Sequence, residues 1–280
     1  MTAGRRNGRA AGVWVLGVLL GVWPSGRPAA QVAPNRASAY VHPSDVYDAR
    51  AVWVNPGGLG VIRQASVYAE LLVEDPGARG RLRQVSAGFN ARGLSFGYQR
   101  DVFDGGVRGD TYRLGLGGSA GSLGIGGAVA YYRGGGTRAT GWDVGLLYRW
   151  LPSLTLGATV ANLGQPVVRG LRQRVMYLPG VTWRPLAAAV VSAHARLTSD
   201  SVAAYAFSAR WGIGLGSRRL PLDFLVRLDT DGGLRRSAFA FGLSLGGMDQ
   251  IGLIASTPGE ASRIEAVSLY GLSVREPVAR

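Results

Sequence analysis

The sequence predicts an all-β protein, an antiparallel transmembrane β-barrel of about fourteen strands, and three observations carry that reading. Large apolar residues alternate with small or polar ones, the first thirty residues resemble an export leader, and glycine is abundant while cysteine is absent. Tyr205, Phe207, Trp211, Ile213 and Leu215 share one parity, and Ala204, Ala206, Ser208, Arg210, Gly212 and Gly214 share the other. Leu220, Leu222, Phe224, Val226 and Leu228 then oppose Asp223, Arg227 and Asp229. Phe239, Phe241, Leu243 and Leu245 oppose Ala238, Ala240, Gly242 and Ser244. A period of two means strand, and about 9–11 residues is the length a tilted strand needs to cross a bilayer. The large face is expected to meet lipid and the small face a lumen. Soluble β-sandwiches also alternate, but with shorter strands and their apolar face turned inward.

The leader comes first in the chain. Arg5, Arg6 and Arg9 precede an apolar run from Ala10 to Trp23, and Pro28-Ala29-Ala30 supplies small residues for cleavage near Ala30. This is the layout of a secretory signal peptide over residues 1–30, with export to the bacterial outer membrane as its consequence. No later apolar run reaches the roughly 18 residues of a transmembrane helix. Without cysteine, disulfides and thiolate metal sites are excluded, and two histidines, His42 and His194, do not amount to a metal site.

Charge narrows the partners. The net charge of +14 includes Arg5, Arg6, Arg9 and Arg27 of the leader, which leaves +10, all of the basic residues being arginine. They are scattered through turns and one strand parity, with no compact basic motif interleaved with aromatics, so nucleic acid is not an expected partner. Arginines in solvated loops and rims could meet outer-membrane lipid or lipopolysaccharide phosphates.

The expected strands are 65–73, 82–90, 92–100, 110–119, 122–133, 141–150, 153–162, 174–184, 187–197, 203–215, 220–229, 235–246, 249–257 and 263–274. Their number is even, as in single-chain bacterial barrels. Asp75-Pro76-Gly77, Asp104-Gly105-Gly106, Gly134-Gly135-Gly136, Leu151-Pro152-Ser153, Ser199-Asp200-Ser201, Asp231-Gly232-Gly233 and Pro258-Gly259 supply turns between them. The barrel thus occupies 63–274, with a tail at 275–280. Gln31 to Ile62 is the only sizeable non-strand stretch expected, so little chain is left for large loops or an internal plug.

That stretch contains the most specific motif. Asp48-Ala49-Arg50-Ala51-Val52-Trp53-Val54-Asn55-Pro56-Gly57-Gly58-Leu59 ends in a tight turn, because Asn55 can cap its own backbone, Pro56 fixes φ and the two glycines tolerate positive φ. It resembles the A-x-x-x-x-N-P-A-G-L element at the mature N-terminus of FadL-type outer-membrane transporters and of the PorV/PorQ-like families, with Arg50 at the position of its first alanine and Gly57 in place of its second. Residues 141–148, 156–164 and 178–185 resemble the same group. The resemblance implies a barrel of about fourteen strands whose residues 31–62 form a hatch in or across one mouth. It implies passage of small or hydrophobic solutes, or else a scaffold role beside a secretion-system protein. A third reading the resemblance implies is a barrel segment related to one fused to a signal-peptide-peptidase-like protein. Two departures stand out: the chain is short for a fatty-acid transporter, and Arg275-Glu276-Pro277-Val278-Ala279-Arg280 follows the last strand where a terminal phenylalanine is common.

No catalytic centre or cofactor is expected. Gly93-Leu94-Ser95-Phe96-Gly97 and Gly242-Leu243-Ser244-Leu245-Gly246 match a nucleophile elbow in letters, yet both lie in alternating strands rather than strand-to-helix turns. Gly115-Leu116-Gly117-Gly118-Ser119-Ala120 has no helix after it to bind a dinucleotide. The lumen candidates are Arg113, Asp143, Arg149, His194, Arg210, Asp223 and Arg227, with Glu70, Gln99, Arg196 and Asp229 on the same inward parity. Paired across strands they would hold a narrow barrel shut, whereas unpaired arginines would bias a wet pore toward anions.

Overall fold

The computed structural model describes residues 38–275 apart from 62–63, 79, 105–106, 169, 215–220 and 259–261. The leader, the first residues of the hatch segment and the C-terminal tail beyond Arg275 lie outside the described residues, as do Leu215 and Leu220 of the alternating runs. After a short helix α1 (Ala51–Val54) and a 3-10 turn (Pro56–Gly58) the chain is strand: β1 (Ala65–Glu74), β2 (Arg81–Ala91), β3 (Leu94–Val102), β4 (Arg108–Ala120), β5 (Leu123–Gly134), β6 (Thr137–Leu151), β7 (Leu154–Leu163), β8 (Val167–Val168), β9 (Leu171–Arg172), β10 (Met176–Leu186), β11 (Ala189–Leu197), β12 (Val202–Gly214), β13 (Pro221–Asp231), β14 (Arg236–Gly246), β15 (Asp249–Pro258) and β16 (Ala266–Arg275).

Fourteen of these close into one antiparallel barrel. Each strand pairs with its sequence neighbour, β10 reaches across β8 and β9 to pair with β7, and β1 meets β16 along a ten-residue register from Ala65↔Arg275 to Glu74↔Ala266. Closure removes the exposed edges an open sheet would present to lipid. Every expected strand falls on an observed one, most within two residues at their ends. Two expectations are corrected. The connection 164–175 is a second sizeable non-barrel stretch and carries the β8–β9 hairpin. Residues 38–61 themselves form a plug inside the barrel, so the chain does have room for one.

The exterior is the large parity. Phe207, Trp211 and Ile213 of β12, Phe224 and Val226 of β13, and Phe241, Leu243 and Leu245 of β14 are all exposed. Toward one end Tyr98, Tyr112 and Tyr131 stand side by side on β3, β4 and β5 with ring centroids 5.3 and 6.4 Å apart. Trp150, Trp183 and Trp211 lie toward the other end, each outward and at least half exposed. An apolar band between two aromatic girdles is the signature of a barrel in a bilayer.

The ends also differ in their connections. At the tryptophan end β2–β3, β4–β5, β6–β7, β10–β11 and β14–β15 are joined by two residues each. In the first of these, Arg92 and Gly93 both take positive φ, 54° and 102°, the conformation that matches a two-residue turn to strand twist. At the tyrosine end most connections are longer, up to the stretch between Leu163 and Met176. We call these the turn end and the loop end. The chain enters β1 and leaves β16 at the turn end.

The buried core is the hatch. Val41, Val46, Ala51, Val52 and Leu59 cluster with Ala128 of the wall, and Tyr40, Trp53 and Val54 pack around them.

Candidate functional site: a hatch seated in the lumen

The hatch turn rests on glycine. Asn55 is fully buried; its Oδ1 accepts the Gly57 N–H at 2.9 Å, and its Nδ2 donates to Pro43 O at 2.6 Å and to Leu146 O of β6 at 2.8 Å. One side chain thus closes the turn, ties it to the preceding hatch segment and fastens both to the wall. The wall must come very close for this: a Cβ at Gly145 would lie 2.0 Å from Asn55 Oδ1, and one at Gly126 would lie 2.0 Å from Pro56 O. Only glycine leaves that space. Pro56, Gly57, Gly58 and Leu59 are all buried here, and the Leu59 carbonyl accepts from Asn90 Nδ2 at 3.1 Å.

The rest of the hatch is fastened by side chains from around the barrel. Thr159 Oγ1 donates to Val54 O at 3.0 Å, and Arg113 donates to Val52 O at 3.1 Å while its guanidinium lies over the Trp53 ring. Arg113 is also in direct contact with Asp143, whose other oxygen accepts the Asn162 N–H at 2.8 Å. Ser44 joins Thr182 and Ser192 in a hydroxyl chain with 2.8 Å links. Asp45 contacts Arg184 directly and Arg210 at 3.3 Å. Ala49 N–H donates to Ser66 Oγ of β1 at 2.8 Å, and Tyr40 stacks on Tyr270 of β16 at 5.3 Å. Arg50 is held by Asp48 and donates to Tyr40 OH at 3.0 Å. Burial alone would raise the Asp48 carboxyl, but Arg50 outweighs it and the group ionises below its usual range.

His42 makes a distinct contact. Its Nδ1 meets His194 Nδ1 at 2.9 Å, and its Nε2 meets Ser208 Oγ at 2.8 Å. Burial, and then the positive charges of Arg227 and Arg210, lower the His42 pKa to about 3.

Two cavities flank this hatch. On its loop side a cavity of about 180 Å³ lies between hatch residues Val41, Trp53 and Val54 and wall residues including Arg113, Arg196 and Arg227. Gln173, from the connection that carries β8–β9, also lines it, and Val168 packs on Ala130 and Tyr132. A smaller one, about 50 Å³, lies between His42, Asp45 and Arg50 and the β12–β16 wall, where Asp223 faces inward. Arg227 pairs with Asp229 at 2.7 Å, and Arg196 approaches the same carboxylate at 4.0 Å. Of the lumen candidates, Arg113, Asp143, His194 and Arg227 line the larger cavity, and Arg210 and Asp223 line the smaller. Arg149 shares the inward parity but lies exposed at the turn-end rim of β6.

Alternation alone could not reveal the hatch ligands Ser44, Asp45, Asn90, Thr159 and Thr182. The signal nearest to them was the run of glycines on the inward parity of β4–β7, where Gly115, Gly117, Gly124, Gly126, Gly145 and Gly157 leave the wall open to close backbone approach. The letters of the nucleophile elbow fold as expected from alternation: Ser95 is buried in β3 and donates to Phe89 O at 2.6 Å, and Ser244 lies in β14.

These features define a transmembrane β-barrel with an N-terminal hatch in its lumen. No protein-family model and no curated protein matches the chain. Among solved structures it is similar to a bacterial polysaccharide outer membrane secretin, at 12% identity and a TM-score of 0.49, covering 78% of this chain and 100% of that one. It is also similar to an engineered Rh. blastica porin, at 8% identity and a TM-score of 0.42, covering 75% and 98%. A Rhodopseudomonas blastica porin triple mutant gives 10%, 0.40, 75% and 97%.

Proposed function

We propose that this protein passes small solutes across the bacterial outer membrane, with residues 31–62 as a displaceable hatch. By the loop-length asymmetry of such barrels the turn end faces the periplasm and the loop end the exterior. The observation that carries the reading is the cavity of about 180 Å³ on the loop side, which has the hatch itself as one wall. Much of the grip of the hatch on the wall is polar, through Asn55, Thr159, Arg113 and Asp45, and water can replace such bonds on release. The likeness of the Asn55-Pro56 motif to FadL-type transporters supports the same reading. No catalytic step is assigned to the chain.

A second reading, a PorV-like scaffold or secretion partner, draws support from the way the hatch crosses the lumen between β6, β12, β16 and β1. Deleting residues 31–54 separates the two. Passage predicts raised conductance in planar bilayers, or faster uptake into vesicles, from a barrel that still folds. A folded deletion variant that stays electrically silent rejects passage in favour of the scaffold.

A further inference from the structure

We propose that the loop-side cavity binds a small organic carboxylate, one anionic group on an apolar body of about one ring; the proposal rests on the passage reading and names its solute class. Size comes first. A cavity of about 180 Å³ suits a single ring or a short chain, since one of about 150 Å³ accepts benzene, and it is too small for a long acyl chain.

Charge selects the sign. Arg113, Arg196 and Arg227 converge on the cavity, while the carboxylates paired with them are Asp143 and the single Asp229 that Arg196 and Arg227 share. Among the residues that line the cavity, these three guanidinium groups stand with one carboxylate, Asp143, while Asp229 and the Gln99-bound Asp101 lie outside the lining. His42 and His194 add no acid to this balance.

Unused donors point the same way. Arg227 Nη1 and Arg113 Nε are buried without an acceptor among the described residues, beside one lining acceptor without a donor, Gln99 Oε1, while Trp53 Nε1 lies against Gly97 of the wall. Unsatisfied buried donors are uncommon and costly, and a guanidinium fork matches a carboxylate. Trp53, Val41, Val54, Met176 and Leu178 supply the apolar remainder. The ligand therefore touches hatch and wall together, so its occupancy is coupled to the hatch position.

Calorimetry on the purified full-length barrel in detergent tests this with benzoate, benzyl alcohol and benzylamine. Benzoate should bind saturably and at least tenfold more tightly than either of the others. Arg196→Gln, at the partly exposed member of the trio, should weaken benzoate about tenfold or more while leaving the heat-shifted band of the folded barrel unchanged. Equal binding of benzoate and benzyl alcohol, or no binding of benzoate to folded protein, overturns the proposal whether or not the variant folds. Benzoate bound by a protein whose hatch deletion is silent keeps the site and rejects passage; conductance without benzoate binding does the reverse.

Discussion

His42 of the hatch and His194 of the wall meet Nδ1 to Nδ1 at 2.9 Å, so one ring must donate and the other accept. The bond requires at least one neutral imidazole at that contact, and Arg227 and Arg210 oppose a positive charge on His42.

The pH dependence follows from the direction of the shift. The seated His42 has its pKa lowered to about 3, against 6.5 when exposed, so the unseated state binds more protons between these values. The contribution of His42 to hatch seating is fully present above about pH 6.5 and falls as the pH drops toward 3. Hydrogen exchange, corrected for the intrinsic rate, should show hatch amides less protected at pH 4.5 than at pH 7.5. His42→Gln should flatten that difference. Equal protection of the wild-type hatch at both values would rule the coupling out.

Asn55→Ala removes three hydrogen bonds and strands the carbonyls of Pro43 and Leu146. A loss of about 1–3 kcal/mol in hatch seating is expected. Gly145→Ala should unseat the same turn by steric overlap, since the added Cβ would fall 2.0 Å from Asn55 Oδ1. Limited proteolysis should cut the hatch of both variants faster than wild type while the strands stay protected. Simultaneous loss of strand protection would show that the barrel depends on its plug.

Phe241 points to lipid from β14, and its neighbour Gly242 opens onto the smaller cavity beside Asp223. Phe241→Arg should cost about 2–4 kcal/mol near the bilayer midplane. Gly242→Arg should cost less, because Asp223 offers a counter-charge, although its side chain must push aside Ile254 and Leu225, which a Cβ there would meet at 3.0 and 3.4 Å. Folding titrations into vesicles give the order, and a reversed order means the faces are misassigned.

The aromatic girdles and the closed sheet predict how the protein behaves on fractionation. It should remain with outer membranes after carbonate washing and migrate differently on gels before and after boiling. Recovery as a soluble periplasmic monomer would contradict both.

Alternation made the barrel legible because period two assigns every residue of a strand to lipid or lumen, as Phe207 and Ser208 illustrate. The Asn55-Pro56 turn was legible for a similar reason, its geometry being set by adjacent residues. What Asn55 holds was not, because Leu146 lies 91 residues away and only closure of the barrel brings it near. The pairing of His42 with His194 spans 152 residues and leaves no local trace. Arginine pairing depended on register: Arg113 found Asp143 across an intervening strand, and Arg227 found Asp229 two residues along its own. The β8–β9 hairpin was too short for its alternation to show.

The hatch touches both strands of the closing seam, bonding β1 through Ala49 and Ser66 and stacking on β16 through Tyr40 and Tyr270. That seam joins the parts of the sheet most distant in sequence, the pairing with the longest loop to close. A segment bonded to both partners holds them together, so a barrel lacking the hatch is expected to reach the same closed sheet more slowly, as refolding rates of full-length and hatch-deleted protein would show.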